Sequence, residues 1–229
     1  MKKFNKLFII LLCCVGAMSV TSCLGDDDDY GLDPETYRQY LTLMSGMYYG
    51  DSSKEEYKNK IYFFNDTITD KENENKQDAI GNISLAISAQ DTTFAISNIP
   101  GKIFTKELPD EHKELRDAIN NAPNQVLRGK IDLNQVSSGY VYFLTYPSSI
   151  TYPSLTYGGE THKVTLRFYN PSLTLGVYGS IDNSKQAVQF NIYLADIIID
   201  DDFNNPINIC KQTTETELRK ALYLVSVTR

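Results

Sequence analysis

Ile83-Ser84-Leu85-Ala86-Ile87, followed by Phe94-Ala95-Ile96, is the stretch that decides the fold. Apolar residues occupy alternate positions in both segments, a pattern typical of a β-strand with one buried face. Gln90 and Asp91 between the segments favour a turn, and Asn98-Ile99-Pro100-Gly101 ends the second one. The stretch therefore predicts an antiparallel hairpin.

Similar apolar segments elsewhere predict further strands. They cover residues 61–68, 126–133, 140–144, 163–168, 173–177, 188–192 and 222–227. A polar segment, 70–78, and a turn at 182–184 separate some of them. The segment 147–159, rich in Pro, Ser, Tyr and Gly, is predicted to be a loop.

Two stretches predict short helices. Asp33-Pro34-Glu35 provides a capping side chain, a proline at the first helical position and an acid in the first turn, and the helix should end near Gly46. Its apolar residues at helical spacing are Tyr37, Tyr40, Leu41 and Met44. A second helix is predicted over 110–121, with Leu115, Ala118 and Ile119 on one face and Pro123 beyond its end.

These elements together predict an α+β, β-dominated fold: an antiparallel sheet or open barrel with two short helices against it. Residues 33–229 are expected to form a single β-rich domain, with 33–108 and 109–229 as the alternative halves. A helix followed by strands occurs twice, which suggests a loose internal duplication. The spacings do not match closely, so two unrelated helices in one domain are the alternative.

The N-terminal segment has the features of a signal peptide. A basic start is followed by an apolar run, Leu7–Val20, that is shorter than the ~20 residues needed to span a bilayer. Val20-Thr21-Ser22-Cys23 resembles the bacterial lipobox, in which the cysteine is diacylated and the preceding peptide is removed. The resemblance implies a signal peptide over 1–22 and acylation, for example by palmitate, at Cys23. An ordinary secretory signal cut near Ser22 is the alternative.

An acidic run, Asp26, Asp27, Asp28 and Asp29, follows the cysteine closely. Residues 23–32 are expected to form a lipidated, acidic tether, because like charges keep a chain extended. A cysteine followed by an acidic cluster also resembles the export signal of Bacteroidetes surface lipoproteins. We therefore expect a lipid-anchored protein of the outer membrane that faces the extracellular side, with the periplasmic face as the alternative.

The amino-acid composition limits the classes of partner that the protein is expected to bind. The 229-residue chain has a formal net charge of -7, which argues against nucleic-acid binding because phosphates require Lys and Arg. Membrane contact is expected through the lipid anchor alone. Of the four cysteines, Cys13 and Cys14 would leave with the signal peptide and Cys23 would be lipidated, so no intrachain disulfide is expected. Cys210, in an apolar context, is expected to be buried.

The sequence contains no motif for catalysis, metal binding or a cofactor, so we predict no metal or cofactor and assign no catalytic residue. His112 lies in a charged helix start, and Glu160 with His162 forms a candidate acid-base couple without a nucleophile motif. Asp200-Asp201-Asp202 starts like a calcium loop, but Asn205 occupies the position of the required glycine. An acidic turn at the end of a strand is therefore preferred there.

The candidate ligand-binding residues are Tyr146, Tyr152 and Tyr157, which lie in or beside the Pro-rich segment. Tyrosine offers a large amphipathic contact area at a low entropic cost, which suits a surface that binds carbohydrate or peptide. The alternative is that these rings fold back over the edge of the sheet.

The lipobox, the acidic run, the Gly46-Met47-Tyr48 start of a strand and the segment Phe94–Pro100 together resemble Bacteroidetes surface-type lipoproteins grouped as a domain of unknown function, family 4840. This resemblance implies a cell-envelope location and brings no activity or catalytic residues. We expect a surface-exposed, non-enzymatic binding or interaction module for a glycan, a peptide or an envelope protein. The alternatives are an envelope hydrolase with a carboxylate-based site and a structural subunit of an outer-membrane complex.

Overall fold

A computed structural model describes residues 32–49, 60–63, 78–106, 108–169, 175–181, 185–210 and 222–229. The predicted signal peptide, the lipidation site Cys23 and the acidic run Asp26–Asp29 lie outside the described residues. The same holds for the turn at 182–184 and for most of the polar segment 70–78.

The described part of the chain contains two α-helices and thirteen strands. The helices are α1 (Pro34–Met44) and α2 (Lys113–Asn121), and short 3-10 helices cover Gly101–Ile103 and Asp110–His112. The strands are β1 (Gly46–Tyr48), β2 (Lys60–Phe63), β3 (Asp78–Ile80), β4 (Ser84–Ser88), β5 (Thr93–Ile99), β6 (Gln125–Ser137), β7 (Tyr140–Pro147), β8 (Ile150–Tyr157), β9 (Glu160–Phe168), β10 (Leu175–Ile181), β11 (Lys185–Ile199), β12 (Ile207–Asn208) and β13 (Leu222–Thr228).

All of the strand pairs are antiparallel, and the sheet is open. Its main path runs β1-β4-β5-β6-β7-β10-β11-β13-β2-β3, while β9 and β12 pair with β11, and β8 pairs with β9. This arrangement confirms the predicted β-dominated α+β fold with two short helices. In the described part of the chain, neither helix has the length and hydrophobicity that crossing a bilayer requires. The internal duplication stays a prediction.

The hairpin that decides the fold forms as the alternation predicts. Leu85 pairs with Ile96 and Ile87 pairs with Phe94, and all four side chains are buried. They belong to one continuous core that also includes Phe190 of β11. Because one face of this hairpin is buried in the core, its register is fixed. A slip of one residue would expose all of these side chains.

Strand β11 connects two parts of the sheet. Up to Tyr193 it pairs with β13, whereas from Leu194 onward it pairs with β9. A register shift between Leu194 and Asp196 marks an irregularity at the changeover, as expected where a strand bends. Strand β8 pairs with β9 and contacts α2.

Helix α1 is capped as its sequence predicts, and its C-terminal end is held by two side chains. Oδ1 of Asp33 accepts hydrogen bonds from the backbone N–H groups of Glu35 and Thr36 at 3.1 and 3.0 Å. At its other end, Oη of Tyr178 donates to the carbonyl of Leu43 at 3.1 Å, and the Arg229 guanidinium donates to the same carbonyl. These contacts attach the end of α1 to β10 and β13.

The prediction of a loop over 147–159 is wrong. Residues Ile150–Tyr157 form β8, and the turn lies at Gly158 and Gly159, both of which have positive φ. Pro153 does not prevent this strand, because β8 is an edge strand whose described partner is β9 and its register shifts between Tyr152 and Leu155. An edge position or bulge tolerates the missing N–H of proline.

Cys210 is 2% exposed, which confirms the prediction that it is buried. Its backbone carbonyl accepts a hydrogen bond from Oη of Tyr169 at 2.8 Å.

Candidate functional site

A groove with a volume of about 530 Å³ lies between α2 and the end of β8. We call it the helix groove. Its polar lining consists of Glu114, Asp117, Asn121, Ser154, Thr156 and Tyr157. Among the described lining residues there is no cationic side chain. The groove is therefore acidic on its helix side and lined by hydroxyl groups on its strand side.

The periodicity of α2 explains which side chains reach the groove. Leu115 and Ile119 are buried in the core. Glu114, Asp117 and Asn121 follow at intervals of three and four residues, which places them along one face of a helix. The sequence pattern predicts the core-facing residues of α2, whereas it carries no signal that distinguishes these polar residues from other exposed ones.

Helix α2 is held in a fixed position next to β8. A Cβ atom on Gly101 would lie 2.4 Å from the carbonyl oxygen of Ile119, so the glycine permits the helix to approach this closely. Oγ1 of Thr105 donates to Oδ1 of Asn120 at 2.6 Å, and Arg116 bonds to Oδ1 of Asp110 at 3.2 Å. One wall of the groove is therefore well anchored.

Tyr157 forms the other wall and packs against His162. The centroids of the two rings are 4.5 Å apart. The Tyr157 hydroxyl is buried and has no hydrogen-bond partner in the described structure. Burial, and to a lesser extent the negative charge of Asp200, raise the pKa of this hydroxyl, so it remains a protonated donor at neutral pH.

His162 is paired with Asp200. Nδ1 of His162 lies 2.7 Å from Oδ2 of Asp200, and the backbone N–H of Lys163 donates to Oδ1 at 2.9 Å. The hydrogen bond from His162 is the main cause of the lowered pKa of Asp200. Because an ionised carboxylate can only accept a hydrogen bond, Nδ1 of His162 is the donor. The carboxylate partner of His162 is thus Asp200, and the suggested couple with Glu160 is not observed.

The acidic segment after β11 is a turn, as preferred from the sequence. Asp200 and Asp201 have positive φ angles of 52° and 59°. Asp202 accepts hydrogen bonds from the N–H of Asn204 and from Nδ2 of Asn205 at 3.1 and 2.8 Å. Within the described ranges, no three His, Cys, Asp or Glu side chains come together as metal ligands.

The three predicted tyrosines do not share a surface. Tyr157 lines the helix groove, whereas Tyr152 is only 3% exposed and its hydroxyl also lacks a hydrogen-bond partner among the described residues. Tyr146 is part of β7, opposite Lys130 of β6. Because Tyr152 is buried, it cannot supply the exposed ring that the surface hypothesis required.

Comparison with known proteins identifies a family. The model of the family described as "Domain of unknown function (DUF4840)" matches residues 44–199, which is more than half of the chain. The match covers α2, β8 and His162, and it ends one residue before Asp200. Searches of curated proteins and of solved structures find no match.

Proposed function

We propose that this chain, which belongs to the family of unknown function, is a lipid-anchored envelope protein. It binds a glycan in the helix groove and does not alter that glycan. The anchor is Cys23, and the acidic run Asp26–Asp29 directs the protein to the outer face of the outer membrane. Two or more acyl chains are sufficient for stable anchoring.

The observation that carries this proposal is the pairing of acids and an aromatic ring across one open groove. Glu114 and Asp117 are acceptors, and the Asn121 amide can both donate and accept, which suits the neighbouring hydroxyls of a sugar. Tyr157 contributes an amphipathic surface on the opposite wall. The open shape suits one face of an extended chain better than an enclosed small molecule.

A glycan array tests the proposal. The probe is the mature chain with Cys23→Ser, which removes the proposed site of lipidation. The variant Glu114→Gln/Asp117→Asn removes both groove carboxylates, and Glu35→Gln/Asp91→Asn removes the same charge from α1 and the β4–β5 turn. We expect glycan binding by the parent and by the control, and its loss in the groove variant. Binding to no glycan, or equal binding by the groove variant, would contradict the proposal.

The pair His162 and Asp200 favours a hydrolase as the second candidate function. Nδ1 of His162 faces Asp200 and its ring packs on Tyr157 of the helix groove, so Nε2 is the atom that would act as a general base. This candidate predicts turnover of p-nitrophenyl glycosides or esters that is lost in His162→Asn. The binding proposal predicts no turnover of these substrates by the parent protein.

A further inference from the structure

A second groove, of about 410 Å³, lies on the outer face of β4, β5 and β6. We call it the sheet groove. It is lined by Ala86, Thr93, Ala95, Arg128, Lys130 and Ser148. The opposite face of the same strands carries the buried core residues Leu85, Ile96 and Leu127. The small side chains of β4 and β5 leave room above the sheet next to the longer cations of β6.

Arg128 and Lys130 give the sheet groove a positive charge. They are two residues apart on β6, so they point to the same face about 7 Å from each other. Both are exposed, and within the described ranges their side chains form no ion pair or hydrogen bond. The described lining includes no carboxylate.

The nearest acids along the strands have other contacts. Asp132 accepts a hydrogen bond from Oη of Tyr37 at 3.4 Å, and Oδ2 of Asp91 lies 3.3 Å from Oγ of Ser88. In a chain with a formal net charge of -7, two cations that have no ion pair in the described ranges thus line one groove. The charge of the sheet groove is opposite to that of the helix groove.

We propose that the sheet groove binds an anionic polysaccharide. Arg128 and Lys130 would contact its carboxylate or sulfate groups, since charge-assisted hydrogen bonds are the strong ones. Hydroxyl groups of Thr93 and Ser148 line the groove, and Tyr146 lies opposite Lys130 on β7. These are partners for the hydroxyls and the apolar face of a sugar ring.

The sheet itself favours a polysaccharide over an acidic peptide. An extended peptide that joins a sheet needs free backbone groups at an edge strand. Here β5 pairs with β4 and β6, and β6 pairs with β5 and β7, so the backbone groups of the floor are already in ladders. Recognition in this groove therefore depends on side chains.

Surface plasmon resonance on the immobilised mature chain with Cys23→Ser tests this inference. The probes are polygalacturonate, dextran sulfate, uncharged dextran and poly-L-glutamate. Arg128→Gln/Lys130→Gln removes both cations of the groove. Lys102→Gln/Lys113→Gln is the matched control, because it removes the same charge from exposed positions outside it. Circular dichroism melts establish that both variants are folded.

We expect polygalacturonate, dextran sulfate or both to bind, with dextran not binding, and we expect the affinity to fall with added salt. Polygalacturonate alone would identify a carboxylate ligand, and dextran sulfate alone a sulfate ester. The groove variant should bind roughly tenfold more weakly or worse, while the control binds like the parent. No binding by the parent, equal loss in the control, or equally strong binding of poly-L-glutamate at the same residues would overturn the inference.

This inference does not depend on the proposed function of the helix groove. The two grooves share no described lining residue and have opposite charge. Failure of one set of variants therefore leaves the result for the other groove intact.

Discussion

Nδ1 of His162 lies 2.7 Å from Oδ2 of Asp200, although 38 positions separate the two residues in the chain. The contact joins the start of β9 to the turn after β11. The backbone N–H of Lys163 donates to the same carboxylate, so the turn and the strand are attached at two points. Because the His162 ring packs on Tyr157, this attachment also supports one wall of the helix groove.

The contribution of Asp200 to stability should depend on pH. The hydrogen bond from His162 lowers the pKa of Asp200 below the ordinary Asp value of 3.8. A carboxyl with a depressed folded-state pKa stabilises the fold above its unfolded-state pKa, and this contribution is lost as the pH falls through the folded-state value. Thermal melts of the parent and of Asp200→Asn should therefore differ at pH 7 and converge in strong acid. A constant difference down to low pH would show that ionisation of Asp200 does not stabilise the fold.

Removal of the Tyr152 hydroxyl should stabilise the protein. Within the part of the chain that the structure describes, this hydroxyl is buried without a hydrogen-bond partner, and an unsatisfied buried polar group costs about 1–3 kcal/mol. Tyr152→Phe is expected to raise the free energy of unfolding by about 1 kcal/mol, as measured by urea denaturation.

Tyr169→Phe is the matched control, because its hydroxyl donates to the carbonyl of Cys210. This substitution should lower the free energy of unfolding by about 1 kcal/mol. If both substitutions destabilise the protein to the same extent, the Tyr152 hydroxyl has a partner that the structure does not show.

Part of this architecture is encoded locally and part is not. The hairpin of Leu85 and Phe94 was predictable, since alternation with a period of two is visible within one segment. The β8 strand was missed because Pro153 and its polar neighbours suggest a loop. A bulge and an edge position make the strand possible, and both depend on the pairing with β9.

The candidate site depends on contacts that are distant in the sequence. The apolar spacing of α2 predicts a helix with one buried face. Asp117 and Asn121 line a groove only because α2 packs against β8. Proximity in the sequence suggests Glu160 as the acid-base partner of His162. The actual partner, Asp200, is brought in by the pairing of β9 with β11.

Lipidation is expected at Cys23. Growth of producing cells with an alkyne-bearing palmitate, followed by coupling to a fluorophore, should label the parent protein. Cys23→Ala should abolish the label, because the thiol is the proposed site of attachment. Cys210→Ser should keep it, since Cys210 is buried in the folded domain. A label that persists in Cys23→Ala would show that the lipobox assignment is wrong.

The acidic run is expected to determine which side of the membrane the domain faces. A protease added to intact cells should degrade the parent protein. In the variant with Asp26, Asp27, Asp28 and Asp29 replaced by Asn, the domain should be protected until the outer membrane is opened. Equal digestion of parent and variant in intact cells would contradict a role of the run in export.

The central claim is that a glycan binds in the helix groove, and isothermal titration calorimetry tests this claim most directly. The glycan that binds most strongly on the array is titrated into the mature chain with Cys23→Ser, into its Glu114→Gln/Asp117→Asn variant and into its Glu35→Gln/Asp91→Asn control. Loss of two hydrogen bonds to charged groups should weaken the affinity roughly tenfold or more in the groove variant, with the control unchanged. An unchanged dissociation constant in the groove variant would contradict the claim that this glycan binds in the helix groove.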